Sequence, residues 1–227
     1  MPPSYRRAHG WAAIQEHAAI VERRGHAMVH IEIWRVRRGT VIVIVSDDRT
    51  GGLAMMSAAI AASGFDIVMG EAYRRAREGQ SAEAVALFEL QRPSDDEGGP
   101  ITSDDLASIA GELESLFQGE THAERLLQRH APTLPPGAQA PSEVTFADED
   151  AAAILLVEAR DRPGLLATIT AALTEASACI VDSEIVTVNG RARDRFQLTE
   201  AGGEPLSGSR REAIAHTVST AVERSGT

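Results

Sequence analysis

Residues 157–181 read VEARDRPGLLATITAALTEASACIV. The lead-in is the end of an apolar strand, Asp161-Arg162-Pro163-Gly164 is a tight turn, and Leu166, Ile169 and Leu173, with Leu165 widening the stripe, predict an amphipathic helix. Laying Gly164 over Gly51, a constant offset of 113 residues, aligns this stretch without a gap to SDDRTGGLAMMSAAIAASGFDIV at 46–68. Ten of the 24 positions from Asp48 to Glu71 match their partners: Asp48, Arg49, Gly51, Leu53, Ala54, Ala58, Ala59, Ile67, Val68 and Glu71. Ordinary composition gives roughly one or two such matches, so the chain is a tandem repeat.

Each copy begins with a continuous apolar strand, Val41 to Val45 or Ile154 to Val157, of the kind found in a sheet covered on one face. The turn and first helix follow, the earlier helix carrying Leu53, Met56 and Ile60. A second strand, around Asp66 to Arg74 or Cys179 to Val188, leads to a hairpin with Asn189-Gly190 in the later copy. Phe88 and Phe196 mark third strands, and five extra residues before Phe88 are expected in a loop, because a strand that absorbs them loses register. A last helix opens at Thr102, with Asp105 at capping-box spacing, and its counterpart uses Ile214, Val218 and Val222. A short closing strand, placed by no pattern, should lie between the hairpin and the last helix or after it.

This order predicts an α+β fold of two ferredoxin-like βαββαβ units, with antiparallel sheets and helices on one face. The expected division is an attachment segment at 1–38, a first unit at 39–119, a linker at 120–150 rich in Pro and Gly, and a second unit at 151–227. Within the attachment segment, Trp11 to Arg24 reads as a short helix and MVHIEIWRV as a strand.

A net charge of −11 opposes nucleic-acid binding, and the longest apolar runs are too short for a membrane span. One cysteine, Cys179, excludes a disulfide framework, and with no secretion signal after the basic start a cytoplasmic location is expected. His26 and His30 sit four apart on an alternating strand, a poor metal clamp, so neither metal nor cofactor is expected. The glycines at 51 and 52 complete no phosphate loop. Arg74, Arg191 and Arg193 read as solvated hairpin charges, and the Asp148-Glu149-Asp150 trio as a solvated linker turn.

The turn itself suggests an amino-acid receptor. Pro163 fits the first helical position, free N–H groups at the helix start favour a carboxylate, and Asp161 can accept from an ammonium or cap the helix. The candidate ligand-binding residues are Asp48, Arg49, Gly51, Gly52, Asp66 and Ile67 in the first copy. Those of the second are Asp161, Arg162, Gly164, Leu165, Cys179 and Ile180, with Cys179 expected beside the Asp161 turn.

DRPGLL between an apolar strand and a helix, followed by NGRARDRF, resembles the ACT domain. The ordered set YRRAH, HAAIVER, LFQGE and PSEVTFADEDAAAILLVEARDRPGLL resembles the C-terminal tandem ACT region of PII uridylyltransferase/uridylyl-removing enzymes, over almost the whole chain. That resemblance implies a regulatory region that senses glutamine and balances uridylylation of the PII signal protein against its removal. In that pattern Asn or Asp precedes the second strand's isoleucine, as Asp66 does here, whereas Cys179 stands in the later copy.

The family's nucleotidyltransferase motif, a Gly-Ser before paired aspartates, and its His-Asp hydrolase motif are both missing from this sequence, so a non-catalytic module is expected. Its partners would be a small amino acid and a PII-modifying enzyme or a second copy of itself. The alternatives are a ligand-free interaction remnant, or a fragment of a longer uridylyltransferase.

Overall fold

The computed structural model describes residues 1–36, 40–77, 79–92, 100–130, 142–149 and 152–224. Residues 131–141 of the Pro/Gly-rich linker, Arg38-Gly39 and Asp150 lie outside them.

The elements are α1 (Pro3–Ala8), α2 (Trp11–Arg24), β1 (Val29–Val36), β2 (Thr40–Asp47), α3 (Gly52–Ala62), β3 (Asp66–Arg77), β4 (Gln80–Gln91), α4 (Ser103–Gln118) and α5 (Ala123–His130) in the first part of the chain. They continue with β5 (Glu143–Glu149), β6 (Ala152–Arg160), α6 (Leu165–Glu175), β7 (Cys179–Val188), β8 (Arg191–Thr199) and α7 (Gly208–Arg224). The fold is α+β, with all eight strands in one antiparallel sheet ordered β1-β2-β4-β3-β7-β8-β6-β5. Such a sheet is compatible with two tandem ferredoxin-like units.

The two halves meet on a pseudo-twofold axis. β3 pairs with β7 so that Glu71 lies opposite Glu184, and on the helices above, Ser57 Oγ lies 3.4 Å from Thr170 Oγ1. Each pair is separated by the repeat offset, so equivalent residues meet each other, as an isologous contact requires. Ile42, Ile44 and Phe88 of one half and Leu155, Val157 and Phe196 of the other belong to a single apolar core shared with the helix layer.

Four expectations need correction. The fourth strand of each half precedes it: β1 pairs with β2, and β5 with β6, filling the edge where a closing strand was sought. A strand needs only a free row of backbone partners, and β2 and β6 offer one to a chain arriving from either end. β5 and α5 consequently lie within 120–150, and β1 within 1–38.

Second, the five extra residues extend the hairpin instead of forming a loop. β3 and β4 have 12 residues each, against 10 and 9 in β7 and β8. Pairs added at a hairpin's tip leave the register below unchanged.

Third, helices α1 and α2 cover the other face of the first half, where Tyr5 and Ile20 pack on Val43, Val45, Tyr73, Val85 and Leu87. β2 is thus buried on both faces, which accounts for its unbroken apolar run. The equivalents of Val43 and Val45 are Leu156, which is exposed, and Glu158, which pairs with Arg191.

Fourth, neither Asp48 nor Asp161 caps a helix, because glycines occupy the cap positions without side-chain caps. The capping box at Thr102 and Asp105 does form.

Candidate functional site

Each repeat presents its turn at the top of a central strand. Gly51 and Gly164 adopt φ of +75° and +77°, and the amides of Gly52 and Leu165 donate to the carbonyls of Arg49 and Arg162 at 2.9 and 3.1 Å. This is a type II turn, with Pro163 at its second position and the left-handed glycine at its third. Pro163 therefore belongs to the turn, and the helix begins at Leu165.

Both turns are tied down in the same way. The Asp48 and Asp161 amides donate to Ala82 O and Gly190 O in the neighbouring hairpins. Arg49 donates to Phe117 O and lies over the Phe117 ring, while Arg162 donates to Val222 O. These two arginines line the crevices but also fasten each turn to the end of the half's second long helix.

The axis builds two crevices, each from the turn of one half and the start of the second strand of the other. In the first, Asp48 to Ala54, Ala72, Arg74 and Ala84 face Ala178, Cys179, Ile180 and Val181 around about 470 Å³. In the second, Asp161, Arg162, Gly164, Leu165, Ile185, Thr187, Ala192 and Asp194 face Phe65, Asp66 and Ile67 around about 30 Å³. Cys179 thus stands across from the Asp48 turn, not beside the Asp161 turn. The cause is the crossed strand pairing, which carries each second strand to its neighbour's loop.

Two equivalent pairs account for the difference in volume. Phe65, 2% exposed, fills the second crevice where Ala178 leaves the first open, and Leu165 stands where Gly52 has no side chain. The first volume lies in the range of small-ligand clefts, roughly 300–1,000 Å³, whereas the second has room for only one or two water-sized groups.

Their electrostatics differ as well. Arg74 Nε donates to Asp48 Oδ2 at 2.6 Å, so a cation and an anion stand together at the first crevice. The equivalent of Arg74 in the second is Thr187, and the equivalent of Ala86 is Asp194. Burial, and then the neighbouring Asp161 charge, push the Asp66 carboxyl up to about 6 and that of Asp194 up to about 8. Burial also lowers the Arg162 guanidinium, which the Asp161 charge opposes. No cluster of three or more potential metal ligands occurs among the described residues.

Arg74, Phe65, Ala178, Thr187 and Asp194 escape a reading centred on the turn. The repeat offset finds them once it is carried along the second strands and, shortened by five, into the third.

The chain is similar to bifunctional uridylyltransferase/uridylyl-removing enzymes. It is 25% identical over 206 residues to that of Bradyrhizobium diazoefficiens, covering 88% of this chain and 21% of the relative. The Phenylobacterium zucineum enzyme is 27% identical over 93% of this chain and 22% of its own length, and that of Xanthomonas euvesicatoria pv. vesicatoria 30% identical over 76% and 19%. The chain therefore spans about a fifth of the length of the curated relatives it matches. No protein-family model and no solved structure matches it.

Proposed function

We propose that this chain is a non-catalytic regulatory module of the ACT type that binds a free α-amino acid in the first crevice. The observation that carries this reading is the joining of about 470 Å³ of space with the Asp48–Arg74 pair and the start of α3. An α-amino acid bears one charge of each sign: its ammonium suits Asp48, and its carboxylate suits Arg74 and the unpaired amides of the first helical turn. Because the crevice is formed by both halves, a bound ligand biases their mutual arrangement, which is the physical content of allostery.

The relatives' names supply the setting. A module of this kind alongside uridylyl transfer and uridylyl removal would report nitrogen supply in the cytoplasm, with glutamine as the first amino acid to test and a PII-modifying enzyme as the partner. Among the described residues no helix is long and apolar enough to cross a membrane.

Calorimetry of the full chain against each of the twenty amino acids tests the reading. Heat is expected with at least one of them and should be lost in Asp48→Ala; no heat with any amino acid rejects the sensor.

A further inference from the structure

The two halves join along a short seam whose ends differ. β3 and β7 pair from Met69 opposite Val186, through Glu71 opposite Glu184, to Tyr73 opposite Asp182. The repeat offset carries Met69 to Asp182 and Tyr73 to Val186, so the two end pairs are equivalent about the pseudo-twofold axis. At one end Met69 is 50% exposed. At the other end α1 lies across the seam. Ser4 Oγ donates to Asp182 Oδ2 at 2.7 Å, and the Tyr5 ring meets the Tyr73 ring edge-on at 5.1 Å. Just past α1, His9 Nε2 lies 2.8 Å from Glu71 Oε2, which also accepts from Tyr73 OH at 2.8 Å. One short helix therefore holds a residue of each half at the same rung.

Both anchors are buried, Tyr5 and Asp182 being 3% exposed each. Asp182 Oδ1 accepts from Arg195 at 3.2 Å, which leaves Oδ2 to Ser4. A buried carboxylate oxygen that loses its donor is costly, so the seat of α1 is tied to the position of β7.

The rung that α1 holds adjoins the first crevice. Tyr73 and Arg74 line that crevice from one half, and Ile180 and Val181 from the other. Between Ile180 and Asp182 the β7–β8 register shifts, an irregularity of the kind at which a strand bends. The second crevice, lined by Ile185 and Thr187, lies toward the end where Met69 is exposed.

We infer that α1 is a strap on this seam, coupled to the first crevice. Seated, it holds β3 and β7 in the arrangement that closes on a ligand, and a ligand between the same strands holds α1 in its seat. The ligand is the amino acid of the regulatory module proposed above, and the coupling rests on that reading. α1 packs with α2 on the other face of the sheet, so occupancy is carried through the sheet to that face. Such coupling is reciprocal: whatever unseats α1 weakens the ligand by the same factor as the ligand steadies α1.

Ser4→Asp in the full chain is the test. An acidic residue in the first turn suits the helix itself, while its charge repels Asp182, so the seat is lost without weakening α1. Without ligand, amide hydrogen exchange followed by NMR should quicken about fivefold or more at residues 3–9, 71–73 and 181–183, and stay as in the parent at 67–69 and 185–188. Ser4→Ala, which only deletes the bond, should move the same amides in the same direction. Exchange equal to the parent in both variants, or quickened alike at both ends of the seam, overturns the strap. Calorimetry with an amino acid that binds the parent should show affinity about fivefold or more weaker in Ser4→Asp. Unchanged affinity overturns the coupling. No heat in the parent with any amino acid rejects the sensor and the coupling with it, whereas heat in the parent with unchanged exchange in the variants rejects the strap alone.

Discussion

Single side chains set the pH response of this protein. His17, 1% exposed, accepts or shares a proton with Tyr5 through Nδ1 and stacks edge-on with Trp34. Burial first, then the charges of His9 and Arg35, lower its imidazole from 6.5 to about 4, against the pull of Glu16. The folded chain therefore holds fewer protons here than the unfolded one, so stability present above about 6.5 is lost as pH falls toward 4, by on the order of 3 kcal/mol. Urea denaturation across this range should show the loss, and His17→Phe should flatten it.

Asp194 acts in the opposite sense. Its raised carboxyl means that the folded state keeps a proton that the unfolded chain releases, so its stabilising contribution is present at low pH and lost as pH rises through about 8. Asp194→Asn should flatten that limb in the same denaturation series. At the turns, Gly51→Ala and Gly164→Ala place a side chain at positive φ and should each cost roughly 1–2 kcal/mol by the same measurement. Both added Cβ atoms would also stand close to a side chain of another element, 3.3 Å from Thr174 Cγ2 at Gly51 and 3.4 Å from Leu127 Cδ2 at Gly164.

The elements were legible wherever the chain repeats its own pattern. The strand–turn–helix order at 157–175 appears as read, with Pro163 in the turn and not in the helix, because apolar period and turn chemistry agree there, and Trp11 to Arg24 forms the expected helix. β1 and β5 were harder to place in the sheet: each lies outside the stretch aligned from Asp48 to Glu71, and strand pairing depends on neighbours that a local pattern does not contain. The second face of β2 was misjudged for a similar reason, since only the partners α1 and α2 explain why Val43 and Val45 are apolar. Ile20 holds that contact. Ile20→Ala should destabilise the chain by about 2–5 kcal/mol, seen as a fall in the denaturation midpoint, while the shared core beneath α3 and α6 stays assembled.

At the scale of the whole molecule, the repeat explains more than the fold. Residues an offset of 113 apart meet on an axis, as Glu71 does with Glu184 and Ser57 with Thr170. What the offset does not convey is that each turn is completed by the other half, because that depends on which sheet edges join. The crossing turns two imperfect copies into two unlike crevices, one open with mixed charge and one tight and acidic. Filling the first crevice from the opposite half is therefore the most direct test: calorimetry with the best amino-acid ligand, comparing the parent chain with Cys179→Trp. Binding in the parent chain and its loss in Cys179→Trp, with the fold intact by circular dichroism, is the predicted result. Amino-acid binding that survives unchanged in Cys179→Trp would contradict a site shared between the halves.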